Sequence, residues 1–121
     1  MPSILLVDDD DGARQLFRRE IEETGYYVTE AKTGREAKNA VQERFFDLLI
    51  LDLSMPDYDG IELMQFIRAE QPHLKVLAVS GFMRGSFLRI AKNLGAASTL
   101  EKPVTGDALM AQVYRLLATH P

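Results

Sequence analysis

Short apolar runs alternate with longer amphipathic stretches along the whole chain. The runs are Ser3–Val7, Val28–Ala31, Leu48–Leu51, Val76–Val79 and Ala97–Leu100. Each is followed by about ten to fifteen residues whose apolar positions recur every three or four residues, which indicates an amphipathic helix. Strands that alternate with helices are typical of α/β folds with a parallel sheet, so the pattern predicts five strand–helix units, (βα)5.

The polarity of the five runs predicts their order in the sheet. The first, third and fourth are continuously apolar, as expected for strands covered by helices on both faces. The second contains Thr29 and Glu30 and the fifth contains Ser98 and Thr99, so we expect these two at the edges. With right-handed crossovers, this predicts a doubly wound five-stranded parallel sheet in the order 2-1-3-4-5. Ligands of such sheets bind at the carboxyl ends of the strands, near the switch point between strands 1 and 3.

Capping residues mark the ends of the predicted helices. Thr33 and Glu36 fit a capping box at the start of the second helix, and Asp59 is the expected N-cap of the third. Gly25 and Gly95 are expected to end the first and fourth helices. The expected core-facing residues are Ala13, Leu16, Phe17 and Ile21 in the first helix, Phe87, Ile90, Ala91 and Leu94 in the fourth, and Leu109, Val113, Leu116 and Leu117 in the last, which is expected to begin near Thr105.

Length and composition narrow the class of protein. A chain of 121 residues suits one domain, expected to span residues 1–121. The absence of cysteine excludes disulfides and cysteine-ligated zinc. No apolar run approaches the ~20 residues of a membrane span, and the N-terminus lacks the pattern of a signal peptide. The net charge is −4 and the basic residues are scattered. We therefore expect a cytoplasmic protein that binds neither nucleic acid nor membrane directly.

Acidic residues follow two strands that are expected to be neighbours. Asp8 and Asp9 come directly after strand 1, and Asp52 ends strand 3, while Ser80 and Lys102 follow strands 4 and 5. Three carboxylates that converge repel one another, by about 3 kcal/mol for each pair ~5 Å apart at an effective dielectric constant near 20. Their hard oxygen atoms suit Mg²⁺. A site with Mg²⁺, a lysine and a hydroxyl suits a phosphoryl group, and one carboxylate can form an acyl phosphate.

Four motifs occur in order at the predicted strand ends. They are LLVDDD, LILDLSMPDYDG, VSG and EKP. Together they strongly resemble the motifs of a response-regulator receiver domain, and the resemblance covers the whole chain. It implies a flavodoxin-like fold and a phosphoacceptor role in a two-component phosphorelay. The two aspartates that follow the acidic pair, Asp10 and Asp11, are expected only to start or cap the first helix.

The resemblance also implies a role for each matching residue of the metal site. Asp52 matches the phosphoacceptor, and Asp8 and Asp9 match the acidic pair that holds Mg²⁺ together with Asp52. Ser54 lies two residues after the acceptor, where the family supplies a metal ligand through a backbone carbonyl. The expected cofactor is therefore Mg²⁺, held by these four residues.

The remaining motif residues match the phosphoryl-binding side of the family's site. Ser80 matches the hydroxyl that hydrogen-bonds the phosphoryl group, and Lys102 matches the lysine that pairs with a phosphoryl oxygen. The Lys102–Pro103 peptide bond matches one that is usually cis in the family. Two positions depart from the pattern: Thr99 stands where an aromatic residue is common, and Val104 replaces a common phenylalanine.

The resemblance implies partners on both sides of the reaction. A histidine kinase or phosphotransfer protein is the expected phosphodonor. A downstream protein, or an effector domain absent from this chain, is the expected output partner, so the chain is either a stand-alone regulator or a piece of a longer regulator or hybrid kinase. The expected output surface is helix 4, strand 5 and helix 5, with apolar residues Phe82, Met83, Leu88, Met110 and Tyr114. We expect a self-phosphorylating switch with at most autophosphatase activity, not an enzyme acting on an outside substrate.

Two other functions compete with this interpretation. The first is a pseudo-receiver, a binding module that signals without phosphorylation. This alternative stays open because Thr99 stands where the family often has an aromatic residue. The second is a haloacid dehalogenase-type enzyme, whose nucleophile follows the first strand in a DxDx[TV] motif. Here the candidate nucleophile Asp52 follows the third strand and is followed by Leu53 and Ser54, which argues against that class. The phosphate-binding motifs GxxxxGK[ST] and GxGxxG do not occur.

Overall fold

Strands and helices alternate through the computed structural model, which describes residues 1–54, 60–81 and 85–118, with residues 85–87 described by their backbone alone. The elements are β1 (Ser3–Val7), α1 (Asp11–Glu22), β2 (Tyr27–Ala31), α2 (Gly34–Glu43), β3 (Leu48–Asp52), α3 (Gly60–Glu70), β4 (Lys75–Ser80), α4 (Gly85–Asn93), β5 (Ser98–Glu101) and α5 (Gly106–Ala118). Among the described residues, no helix is both long enough and apolar enough to cross a membrane.

The five strands form one parallel sheet in the order β2-β1-β3-β4-β5. The predicted order and the predicted edge strands are therefore confirmed. The strand bounds differ slightly from the apolar runs, since β5 begins at Ser98 and not at Ala97. More important for function, β3 ends on Asp52 and β4 ends on Ser80. Backbone pairing of the sheet therefore fixes the positions of both residues.

Apolar side chains alternate between the two faces of the central strands. On one face, residues such as Leu5, Leu49 and Val76 pack beneath α2, α3 and α4. On the other face, residues such as Ile4 and Leu48 pack beneath α1 and α5. Burying a leucine or isoleucine side chain contributes about 1.5–3 kcal/mol. Because both faces are covered, packing holds the central strands, and with them the residues at their carboxyl ends, from two sides.

The predicted helix ends are largely confirmed. Thr33 Oγ1 accepts a hydrogen bond from the Glu36 backbone N–H at 3.1 Å, while the Glu36 carboxylate accepts from the Lys32 N–H at 2.6 Å. The glutamate thus reaches one residue further back than a capping box requires. Gly25 and Gly95 have φ values of 93° and 105°, so both adopt the left-handed conformation that favours glycine. The predicted cap Asp59 lies outside the described residues.

The predicted inner face of α1 is wrong at one position. Ile21 is buried, but Leu16 is 51% exposed and Arg14 is only 7% exposed. Each residue advances a helix by about 100°. Ala13, Arg14 and Ile21 therefore lie within one arc, and Leu16 lies well outside it. The inner face of α1 combines apolar residues with a buried arginine, which the apolar pattern did not indicate.

The predicted inner face of α5 is confirmed, and that of α4 is partly wrong. All four expected residues of α5 are buried: Leu109, Val113, Leu116 and Leu117. In α4, Ala91 is buried and Leu88 and Leu94 pack on either side of it, whereas Ile90 is 42% exposed. Ile90 is one residue, or about 100°, away from the centre of that face. The side chain of Phe87 lies outside the described residues.

Candidate functional site

Three carboxylates meet at the carboxyl end of the sheet. The pairing of Val7 with Leu51 places the ends of β1 and β3 side by side. One carboxylate oxygen from each of Asp8, Asp9 and Asp52 lies within 4.8 Å of the others. Asp8 and Asp52 are buried, while Asp9 is partly exposed. These three residues, called the acidic cluster below, could hold a cation because their oxygens are hard ligands and no histidine or cysteine belongs to the group.

Both carboxylate oxygens of Asp52 have hydrogen-bond partners. Oδ1 accepts from the Ser54 backbone N–H at 2.8 Å, and Oδ2 accepts from the Lys102 ammonium group at 2.8 Å. Lys102 follows β5, and its backbone N–H donates to the Ser80 carbonyl at 2.7 Å. The lysine side chain therefore reaches across the end of β4 to Asp52. This ion pair places the positive charge of Lys102 against the Asp52 carboxylate at the end of β3.

Crowding of the carboxylates alters the proton affinity of the site. Burial, together with the negative charge of Asp52, raises the pKa of Asp8 to about 6, although the Asp10 N–H and the charge of Lys102 act in the opposite direction. Burial also acts to lower the pKa of Lys102. The hydrogen bond and charge of Asp52, with the charges of Asp8 and Asp9, outweigh burial and raise that pKa above its usual value. Lys102 therefore offsets the repulsion among the carboxylates only in part. The remaining negative charge favours binding of a second cation.

Arg14 holds the loop that carries Asp8 and Asp9. Its guanidinium donates from Nη1 to the Asp8 backbone carbonyl at 2.8 Å, from Nε to Glu30 at 2.9 Å and from Nη2 to Asp11 at 2.6 Å. It thus ties the β1–α1 loop to the edge strand β2. Sequence reasoning missed this residue. The spacing of Asp11 and Arg14 by three residues within a helix was the available signal.

Ser54 joins the ends of β3 and β4 through its side chain. Its Oγ accepts a hydrogen bond from the Gly81 backbone N–H at 2.9 Å and lies 3.3 Å from the Ser80 Oγ. Ser80 is completely buried. We call these three residues the hydroxyl bridge. The sequence indicated a function for the Ser54 backbone carbonyl only, because local sequence does not specify where a side chain at a strand end will point.

A cleft of about 330 Å³ opens beside the acidic cluster. Asp8 and Lys102 line its polar side, and Ala13, Phe17 and Val104 line its apolar side. The cleft thus offers an apolar wall next to charged groups.

The structure tests several of the remaining expectations. The Lys102–Pro103 peptide bond is cis, as expected. Thr99 is partly buried in β5. Of the five apolar residues expected on the output surface, Tyr114 is 48% exposed, whereas Leu88 and Met110 are partly buried and pack against the core. The expected surface residues Phe82 and Met83 lie outside the described residues.

Comparisons with known proteins agree with this geometry. A sequence model described as the response regulator receiver domain matches residues 4–114. The response regulator receiver protein CpdR of Brucella abortus (strain 2308) is 32% identical over 117 residues, which cover 97% of this chain and 98% of CpdR. The transcriptional regulatory protein ZraR of Escherichia coli O157:H7 is 36% identical over 118 residues, which cover 97% of this chain but 27% of ZraR.

Solved structures show the same fold. A CheY-like response regulator receiver domain protein from Methanospirillum hungatei JF-1 superimposes with a TM-score of 0.91 at 29% identity, covering 98% of this chain and 94% of that protein. The strand order, the acidic cluster and the motif residues at the strand ends therefore occur in a chain whose sequence and fold both match one family. This chain belongs to the response regulator receiver domain family of two-component systems.

Proposed function

We propose that Asp52 is a phosphoacceptor that takes a phosphoryl group from a phosphohistidine of a histidine kinase or phosphotransfer protein. The observation that carries this proposal is the position of Asp52, which lies between two further carboxylates and the Lys102 ammonium group. In the transfer, an Asp52 oxygen attacks phosphorus and a P–O bond forms. The P–N bond of the donor breaks, and the imidazole nitrogen keeps the electron pair and takes up a proton.

The side chains of this chain account for most of the required electrostatics. Lys102 moves its hydrogen bond from the Asp52 carboxylate to a phosphoryl oxygen and offsets the added negative charge. The buried Ser80 hydroxyl donates a further hydrogen bond to the phosphoryl group. The apolar wall of the cleft, formed by Phe17 and Val104, receives the donor's imidazole ring. Transfer then depends on positioning and charge more than on acid–base chemistry.

The acidic cluster fits Mg²⁺, which prefers oxygen ligands and keeps several waters. Asp8, Asp9 and Asp52 would hold it with their carboxylates, and Ser54 with its backbone carbonyl. When bound, Mg²⁺ neutralises charge on the phosphoryl oxygens. Without it, three carboxylates face one ammonium group, so the site is too negative to receive a phosphoryl group easily.

We further propose that the phosphorylated state changes the surface formed by α4, β5 and α5. Ser80 ends β4 and is paired with Glu101 of β5, so a move of its side chain toward Asp52 acts directly on this region. The output partner is a downstream protein or an effector domain outside this chain. Attack of water on the acyl phosphate returns Asp52 and inorganic phosphate, which is the only hydrolytic activity we propose. The cytoplasmic location and the single domain spanning residues 1–121 stay predictions.

The proposal is tested by intact-mass analysis after incubation with acetyl phosphate, with and without Mg²⁺. We expect one phosphoryl adduct that requires Mg²⁺ and is removed by hydroxylamine. Asp52→Asn should abolish it, while Asp107→Asn, a change at an exposed carboxylate of α5, should not. An adduct that persists in Asp52→Asn would assign the acceptor to another residue. No adduct with either acetyl phosphate or a phosphorylated histidine kinase would favour the pseudo-receiver.

A further inference from the structure

The Ser54 side chain uses the hydrogen-bonding groups nearest to the proposed phosphoryl site. Asp52 is paired with Val79 in the sheet, so Ser80, which ends β4, and Gly81, which follows it, lie beside the acceptor. Their side-chain hydroxyl and backbone N–H are the groups that an anion on Asp52 would meet on this side. In the structure, both groups contact Ser54 Oγ instead, at 3.3 and 2.9 Å.

These contacts are weaker than those that a phosphoryl oxygen would make. An O–H···O hydrogen bond is usually about 2.7–2.8 Å long, so the 3.3 Å contact between Ser54 and Ser80 is a weak one. A charged acceptor forms hydrogen bonds roughly twice as strong as a neutral one. The Gly81 N–H has a single hydrogen and cannot serve two acceptors well. Ser54 Oγ and a phosphoryl oxygen therefore compete for the Gly81 N–H and for contact with the Ser80 hydroxyl.

We propose that the Ser54 hydroxyl occupies, in the unphosphorylated protein, the place that a phosphoryl oxygen takes on activation. Phosphorylation of Asp52 then requires Ser54 to release the Ser80 hydroxyl and the Gly81 N–H. Ser54 is thus a positioning residue that stabilises the unphosphorylated state and opposes the phosphorylated one. The inference rests on the proposed phosphoacceptor function of Asp52 and adds a regulatory role for a side chain next to it.

Removing the Ser54 hydroxyl should shift the equilibrium toward the phosphorylated conformation. A ligand shifts a two-state equilibrium according to its relative affinity for the two states, so losing a contact made only in the free state raises the apparent affinity. The test measures binding of fluoroberyllate, a phosphoryl analogue, to the Mg²⁺-loaded protein. We expect Ser54→Ala to bind about fivefold more tightly than wild type, the change that corresponds to one neutral hydrogen bond.

Two variants serve as controls. Ser54→Thr is the conservative variant: it keeps a hydroxyl and should restore most of the difference in fluoroberyllate affinity between Ser54→Ala and the wild type. Ser98→Ala removes another buried serine hydroxyl, one that donates to Gln112 at 2.8 Å away from the site, and should leave the affinity unchanged. A second measurement, amide hydrogen exchange without any analogue, should show faster exchange at Gly81 in Ser54→Ala, and Ser54→Thr should reverse most of that increase.

The outcomes separate this inference from the proposed function. Tight binding by the wild type with equal or weaker binding by Ser54→Ala would overturn the inference and leave the phosphoacceptor function intact. Unchanged exchange at Gly81 in Ser54→Ala would overturn it as well. Absence of fluoroberyllate binding by the wild type would overturn the proposed function, and the inference with it.

Discussion

The two halves of the candidate site are held by different kinds of interaction. On the β1–α1 side, Arg14 makes three charge-assisted hydrogen bonds, one of them to the Asp8 carbonyl. On the β3–β4 side, the hydroxyl bridge consists of neutral contacts at 2.9 and 3.3 Å. Hydrogen bonds to charged groups contribute about 1.5–3 kcal/mol each, and neutral ones about 1 kcal/mol. The acidic half is thus fixed before any ligand binds, whereas the hydroxyl half can rearrange at small cost.

This difference suits a switch. A cation site requires ligands that already lie close together. Because the carboxylates repel one another, the surrounding structure must hold them in position. A conformational response requires contacts that a ligand can replace. The protein meets both requirements at one site. Asp52 belongs to the acidic cluster, and its carboxylate accepts a hydrogen bond from the backbone N–H of Ser54, a residue of the hydroxyl bridge.

The largest expected effect comes from the arginine of the acidic half. Arg14→Met removes three charge-assisted hydrogen bonds, including the one to the Asp8 carbonyl, and leaves Glu30 with Arg18 as its ion-pair partner. We expect the free energy of unfolding to fall by about 3 kcal/mol, the upper value for one hydrogen bond to a charged group, because several are lost together. Urea denaturation measures the change. Arg18→Met is the matched control: it removes a more exposed arginine that also pairs with Glu30, and should cost less than about 1 kcal/mol. Equal losses for both variants would contradict the account.

The next effect concerns the dependence of stability on pH in metal-free protein. The pKa of Asp8 is raised to about 6, above its value in the unfolded chain, so the native state binds this proton more tightly. The resulting stability is fully present below about pH 4 and is lost as the pH rises to about 6. Between pH 4 and 7, the free energy of unfolding should fall by about 2 kcal/mol more in wild type than in Asp8→Asn.

The comparison for this pH effect is made in a chelating buffer, so that no metal competes with the proton. Asp107→Asn, which changes an exposed carboxylate of α5, should follow the wild-type curve. Parallel curves of unfolding free energy against pH for wild type and Asp8→Asn would mean that the pKa of Asp8 is not raised in the native state.

The smallest effect should come from the hydroxyl half. Ser54→Ala removes neutral contacts only, and we expect its free energy of unfolding to fall by about 1 kcal/mol without ligand. Urea denaturation of Ser54→Ala and Arg14→Met under the same conditions compares the two losses of unfolding free energy directly. Ser98→Ala, which breaks the Ser98–Gln112 hydrogen bond, gives a reference for a buried serine elsewhere. A loss for Ser54→Ala as large as that for Arg14→Met would remove the distinction between the two halves.

Sequence reasoning was most successful where a property is set by many residues. Strand order followed from the polarity of whole runs, because a strand covered on both faces tolerates few polar residues. The three aspartates of the acidic cluster were predicted because they come directly after the last apolar residues of β1 and β3. Family motifs then indicated roles that the residues alone left open.

The sequence was least informative where one side chain decides the structure. Leu16 fitted the apolar pattern of α1 but lies outside its buried arc, and Arg14 takes the inner position because Glu30 and the Asp8 carbonyl pair with it. The contact from Ser54 to Gly81 joins residues 27 apart in the chain. Such a contact depends on how two strand ends are oriented, and no local pattern encodes this.

The central claim is that Asp52 is the residue that carries the phosphoryl group. Borohydride reduction after acetyl phosphate treatment with Mg²⁺ converts the aspartate of an acyl phosphate to homoserine, and peptide mass spectrometry locates it. The account predicts homoserine at position 52, dependent on both Mg²⁺ and the phosphodonor. Homoserine at position 8 or 9 in place of 52 would contradict it.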